Sequence, residues 1–158
     1  MALRLGEILV SRGVLSAEQV EGALAEQAEY GGAFGDIVER MFGVSAGEVE
    51  RAWAEQYAGL AEQVDPRDEI VERDALLSVS ARQAWQFRLL PLRRDGEEMV
   101  LCTTQEHLPR ALRFVYRSLK ERCSFVIAEP GALGEALEEH FPLPGLDAEC
   151  VRAGVRVA

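Results

Sequence analysis

The sequence predicts an α+β fold. Duplicated helical hairpins with a 29-residue repeat precede a small α/β subdomain carrying a three-stranded mixed sheet. Three observations point there. Residues Arg4–Gln27 recur as Ala33–Gln56: Gly6, Ile8, Ser16, Ala17, Val20, Glu21, Ala23, Ala25, Glu26 and Gln27 return as Gly35, Ile37, Ser45, Ala46, Val49, Glu50, Ala52, Ala54, Glu55 and Gln56. Between Phe87 and Ala128 lie three short apolar runs bounded by turn signals. The order there (helix, strand, strand, helix, strand, helix) is that of a small layered α/β unit. The expected boundaries are 1–60 for the duplicated helices, 61–142 for the α/β part and 143–158 for a tail that ends loose or adds an edge segment.

In the first copy, Leu5, Ile8, Leu9 and Val10 give helical spacing over Leu5–Arg12, and Gly13 ends that helix. Ser16 opens the next helix, with Gln19 three residues on as a capping box and Leu15 and Val20 as a hydrophobic staple. Val20, Ala23, Leu24 and Gln27 share one side, and Tyr30-Gly31-Gly32 stops the helix. In the second copy Phe34, Ile37, Val38 and Met41 form an apolar side. Ser45 and Glu48 repeat the cap, Val44 and Val49 the staple, and Gly59 falls past the end. Neither hairpin can bury its apolar stripe alone, so the two should pack together.

After Gly59 the text changes. Asp65-Pro66-Arg67-Asp68 reads as a turn or linker. A helix is expected over Asp74–Gln86, a strand over Phe87–Leu92, a turn at Arg94-Asp95-Gly96 and a second strand over Glu98–Thr103. Pro109–Leu119 reads as a helix with Leu112, Val115 and Leu119 inward. Ser124–Ala128 is the third strand. Pro130 and Gly131 break it, and Ala132–Phe141 closes the unit as a helix.

The 158 residues suit one ordinary domain or two small ones. Hydrophobic residues make up 48% and mean hydropathy is −0.05, a globular composition. No apolar run approaches the roughly 20 residues of a membrane span, and the N-terminus has no secretory-signal pattern. A cytoplasmic protein without membrane insertion is expected. A net charge of −10 argues against a nucleic-acid polymer as partner and favours basic partners.

The sequence has no GxxxxGK[ST] phosphate loop, no GxGxxG and no CxxC. Cys102, Cys123 and Cys150 are too few and too scattered for a disulfide framework, and Cys102 and Cys123 read as reduced core residues. Cys102 and His107 lack an orienting acid for nucleophile–base work. Cys102, His107, Cys123 and Cys150 lack zinc spacing. No catalytic residue, metal or cofactor is expected, and the chain reads as non-enzymatic.

The first copy reads Arg4-Leu5-Gly6-Glu7-Ile8-Leu9-Val10-Ser11-Arg12-Gly13-Val14-Leu15, then Val20, Leu24 and Gln27. This resembles the MshEN motif, RLGxx…xxG…L…L…Q, from the N-terminal domain of the assembly ATPases of type II secretion and type IV pili. The family form has two 24-residue motifs five residues apart, as Arg4–Gln27 and Ala33–Gln56 are around Ala28–Gly32. The later stretch Ala84…Phe87-Arg88-Leu89-Leu90-Pro91-Leu92…Glu98-Met99-Val100-Leu101-Cys102, ending at His140-Phe141, is similar too. The ATPase core that follows in those proteins is not in this sequence, which reads as a stand-alone relative or a fragment.

The resemblance implies one of two roles. Some members dock on partners of the secretion or motility machinery; others bind cyclic di-GMP on the motifs. By motif position the ligand candidates are Arg4, Leu5, Gly6, Leu9, Gly13, Val20, Leu24 and Gln27, then Phe34, Gly35, Val38, Val49, Trp53 and Gln56. Glycine admits close backbone approach, arginine stacks on or pairs with guanine, leucines floor the site and glutamine bonds a polar edge. The bland alternative gives Gly6 and Gly35 to helix packing, Gln27 and Gln56 to capping or cross-bonding, and Arg4 and Arg12 to solvent. The copies are unequal: Ala33 stands at the arginine position, Phe34 and Trp53 at leucines, and Phe42 at the later glycine. Docking to a protein partner is therefore the first expectation and a cyclic di-GMP receptor the second.

Overall fold

The computed structural model describes residues 3–153 and divides the chain into two units, Met1–Leu60 and Ala61–Ala158. Together the described residues make a mixed α+β fold of helices and one three-stranded sheet.

Unit 1 consists of α1 (Leu5–Ser11), α2 (Ala17–Tyr30), α3 (Phe34–Phe42) and α4 (Ala46–Leu60). The Gln19 N–H donates to Ser16 Oγ at 3.1 Å and Gln19 Oε1 accepts from the Ser16 N–H at 2.9 Å, so α2 starts on the expected box. The Glu48 N–H donates to Ser45 Oγ at 3.2 Å ahead of α4. Ile8, Leu9, Leu15, Ala23, Ile37, Val38 and Ala52 form the buried core, with Val20, Phe34, Phe42 and Val49 packed against it. The helices approach through two glycines. A Cβ on Gly6 would lie 2.9 Å from Val20 Cγ1, and one on Gly35 would lie 2.8 Å from Val49 Cγ1.

Some expectations for unit 1 fail locally. Leu24 is 48% exposed and Met41 38% exposed, so neither faces the core. Gly59 lies inside α4. Phe42 ends α3 half-buried, and the left-handed turn passes to Gly43, at φ +66°. In α1 the corresponding turn falls on Gly13, at φ +72°.

Unit 2 begins with the Asp65–Asp68 turn, closed by the Asp68 N–H donating to Asp65 O at 3.0 Å. This stretch is more than a linker. The Val64 N–H donates to Ile127 O, and the Ile127 N–H to Glu62 O, each at 2.9 Å, laying Gln63 beside the sheet edge. The single helix expected over Asp74–Gln86 is two: α5 (Arg73–Leu76) and α6 (Ala81–Phe87). Ser80 restarts the chain with a capping box to Gln83. Phe87 therefore ends a helix rather than starting a strand, and Arg88 turns the backbone left-handed at φ 51°.

Three strands follow the expected plan with shifted ends: β1 (Leu90–Asp95), β2 (Glu98–Thr103) and, after α7 (Leu108–Ser118), β3 (Arg122–Ile127). Asp95 and Glu98 face each other across Gly96-Glu97, so β1 and β2 are an antiparallel hairpin. β3 runs parallel to β2, with α7 as the crossover, in the order β1-β2-β3. On α7 the inward residues are Leu108, Ala111, Phe114 and Val115, while Leu112 is exposed. Pro130 opens α8 (Pro130–His140) at its first turn, where a missing N–H costs nothing, instead of separating it from the strand.

The region expected as a tail contains α9 (Ala148–Arg152). A Cβ on Gly134 of α8 would lie 2.7 Å from Ala148 Cα, and Val151 is buried. Residues 154–158 of that tail lie outside the described residues. Trp85 of α6 is fully buried and its indole N–H donates to Phe141 O at 2.7 Å. Arg88, 2% exposed, donates to Trp85 O at 2.8 Å and Cys150 O at 3.2 Å, tying α6 to α9. Among the described residues no helix is long and apolar enough to cross a membrane.

The packing at Gly6 and the charge pair at Asp65 each lead to a measurable outcome. Val20 is β-branched and on a helix, so its χ1 cannot turn freely away from an added methyl. Gly6→Ala should destabilise unit 1 by about 1–2 kcal/mol, overpacking outweighing the gain in helix propensity. In a Val20→Ala background the same substitution should cost less, the remaining tight neighbour being Phe34 Cζ at 3.3 Å; equal midpoints for wild type and Gly6→Ala in urea would contradict the close approach. In unit 2 the Arg67 guanidinium donates to Asp65 Oδ1 at 2.8 Å and Oδ2 at 2.6 Å and holds that carboxyl down, from 3.8 to about 2. A folded value below the unfolded one stabilises at neutral pH, and that contribution fades as pH drops through about 4 toward 2. Arg67→Ala should return the Asp65 midpoint towards 4, read by carboxyl NMR; a midpoint left near 2 would assign the shift to something else.

Candidate functional site

The site residues read from the motifs divide into groups in the structure. Leu9 and Val38 are fully buried and belong to the core. Gly6 and Gly35 are filled from the front by Val20 and Val49. Gln27 donates from Nε2 to Gly32 O at 3.0 Å, tying off the end of α2. Arg4 is exposed at the start of α1, where its N–H donates to Glu7 Oε2 at 2.8 Å. Gly13 has nothing within 4 Å of a would-be Cβ, and Leu24 stands in solvent. Arg12, beside Gly13, pairs through Nε with Glu55 Oε2 at 3.0 Å, joining the end of α1 to α4 next to the half-buried Gln56.

Five of the residues do converge. Leu5, Phe34, Gly35, Val49 and Trp53 line an open hollow of about 450 Å³ on unit 1. Helical spacing explains the meeting: Val49 and Trp53 are four apart on α4, Phe34 and Gly35 open α3, and Leu5 opens α1. The Trp53 ring lies 5.5 Å from that of Tyr57, tilted by 43°. Motif reading missed the rim. Asp36, Glu39 and Glu50 line the same hollow, together with Ala33 at the start of α3. Asp36 and Glu39 stand three apart on α3, and Glu50 three before Trp53 on α4, the spacing that brings side chains to one helix face. A floor of leucine, valine and aromatic rings under a carboxylate rim suits an apolar group bearing positive charge.

In unit 2, Cys102 is buried on β2 and its thiol is pushed up to about 12 by burial, reinforced by the Glu69 and Asp65 charges. The His107 ring sits 2.8 Å from Thr104 Oγ1 through Nδ1, and burial lowers its pKa. No group of three or more His, Cys, Asp or Glu is placed for a metal among the described residues.

The two units, helices first and sheet second, define an N-terminal domain of the kind carried by GspE/PilB-type ATPases. The chain belongs to the MshEN domain family, whose model matches residues 46–145, from the start of α4 through α8. The type IV pilus assembly ATPase PilB of Thermus thermophilus is 30% identical over 141 residues, 89% of this chain; the chain spans 15% of that protein's length. A solved structure of MshE with cyclic di-GMP covers 88% of this chain and 99% of that one, at 24% identity and a TM-score of 0.51, a likeness of fold. The N-terminal domain of XpsE covers 89% and 99% at 20% identity, with a TM-score of 0.46.

A thiol held near 12 is not a nucleophile at neutral pH. Native protein treated with iodoacetamide at pH 8 should keep Cys102 unmodified and yield it in denaturant. Alkylation of native Cys102 at the rate of a free thiol would show that the site opens.

Proposed function

We propose that this domain is a docking module for a protein of the secretion or type IV pilus machinery, and that the unit 1 hollow receives a partner segment with an apolar anchor flanked by lysine or arginine. One observation carries this reading: where residues of the two motifs meet, the charges are Asp36, Glu39 and Glu50, and the position for a second motif arginine is Ala33. Carboxylates attract a basic segment and repel a phosphodiester. The net charge of −10 works in the same direction, by steering basic partners from a distance.

A second reading has its own support. Arg4 and Leu24 are exposed, Gly13 is open, and the fold is that of an MshE structure solved with cyclic di-GMP. On that reading the first motif holds the ligand by itself, with Arg4 on guanine.

Two measurements separate them. With the protein as bait in extracts of the source organism, secretion or pilus components should be enriched, and Asp36→Lys/Glu39→Lys should lose them. Enrichment unaffected by the double variant would remove the hollow from the docking surface. Calorimetry with cyclic di-GMP should show no heat up to about 100 μM ligand. Saturable heat that Arg4→Ala abolishes would replace docking by the receptor reading.

A further inference from the structure

Unit 2 has a hollow of its own, of about 450 Å³, between α6 and α7. Its charge is the opposite of that expected from so acidic a chain. Arg82 comes from α6, and Arg110, Arg113 and Arg117 come from α7. The three on α7 follow i, i+3, i+7 spacing, so they form one stripe along a helix face, about 10 Å long at 1.5 Å per residue. Gln83 and Gln86 of α6 complete the polar wall.

We propose that this hollow is a binding site for a small anion carrying two or more linked phosphates. Charge pairing sets these arginines apart. Many arginines elsewhere sit on carboxylates, among them Arg12 on Glu55, Arg40 on Glu26, Arg67 on Asp65 and Arg94 on Glu121. Arg110 and Arg117 have no carboxylate within 4.0 Å among the described residues, and Arg82 donates to the neutral Gln86 at 2.9 Å. In a chain with 27 acidic and 17 basic residues, carboxylates are abundant, yet none lines this hollow. Converged guanidinium groups repel one another, and a multivalent anion relieves that repulsion.

The hollow is also preorganised. The Arg110 guanidinium lies 5.5 Å over the Phe87 ring, and Phe87 is stacked on Phe114 at 4.3 Å and 12°. Phe114 is buried, so the stack is a fixed platform that aims one arginine. Guanidinium forks bind phosphate oxygens in pairs, and the length of the stripe suits linked phosphates better than a single one. The Oε1 atoms of Gln83 and Gln86 already accept from Ser80 and Arg82, which leaves their amide N–H groups as further donors. Both the volume and the concave shape are those of a small-ligand site.

The test is calorimetry on the whole chain at low salt with inorganic pyrophosphate and, separately, ATP. Saturable binding is expected, weakened at least tenfold by Arg113→Gln/Arg117→Gln and untouched by Arg4→Ala. Both substituted arginines are exposed, and thermal melts will show the variant folded. Arg110→Lys, which keeps the charge but not the stacked fork, should weaken binding by an intermediate factor. Equal affinity for the two ligands would identify the phosphates as the whole determinant, whereas preference for ATP would identify a nucleotide. No saturable heat from either ligand up to about 5 mM would overturn the proposal. So would binding that ignores Arg113→Gln/Arg117→Gln, or tighter binding of polyglutamate or anionic vesicles than of pyrophosphate. None of these outcomes bears on docking at unit 1, which is read on Asp36 and Glu39.

Discussion

Unit 1 depends on how closely its helices approach at Gly6 and Gly35. α1 is seven residues long and α3 nine, too short to persist alone in water. They are helical because they are packed, and packing at this distance requires that nothing stand between backbone and valine. The absence of a Cβ at Gly6 lets Val20 reach α1, and with it the buried Ile8 and Leu9. Gly35 and Val49 do the same for α3, Ile37 and Val38. The surfaces of these helices are then free to differ, because the contact that holds them is backbone to methyl and asks nothing of the outward residues.

That freedom shows in the charge pattern. In unit 1 the hollow is apolar and rimmed by carboxylates; in unit 2 it is lined by arginines against a stacked phenylalanine pair. Neither character can be read from the net charge of −10, which averages over both. A total charge bounds the long-range field, whereas recognition lies in local departures from it. Arg4 precedes α1 and Ala33 precedes α3, so one helix start carries a cation and the other does not, while both helices contribute to the same buried core.

Most of the architecture was legible in the sequence, and the reasons for the misses are specific. Ser16 with Gln19 announces α2 because the cap precedes a clean apolar period. Ser80 with Gln83 is the same device, but Leu76, Leu77 and Trp85 sustain an apparent helical pattern across it, so two helices read as one. Phe87 looks like a strand residue until Arg88 takes its left-handed turn, and nothing in the identity of arginine signals that conformation. Pro130 and Gly131 read as breakers where they open α8. α9 was invisible because its stability comes from Gly134 and Val151 packing rather than from its own five residues. In the candidate site, the motif pointed to Leu5, Phe34, Gly35, Val49 and Trp53, which do meet, and also to Leu9 and Val38, which are sealed in the core. Periodicity marks the apolar face of a helix but not which of its members reach the surface.

Each unit contains a single tryptophan, and the two have different surroundings. Trp85 is sealed inside unit 2 with its indole N–H on Phe141 O, whereas Trp53 is half-buried at the unit 1 hollow beside Tyr57. Their intrinsic fluorescence is therefore divided by task. Emission from Trp85 reports whether the interior of unit 2 is intact and is shielded from external quenchers. Emission from Trp53 reports what occupies the hollow. The chain thus carries two native optical probes, one for folding and one for occupancy, with no label added.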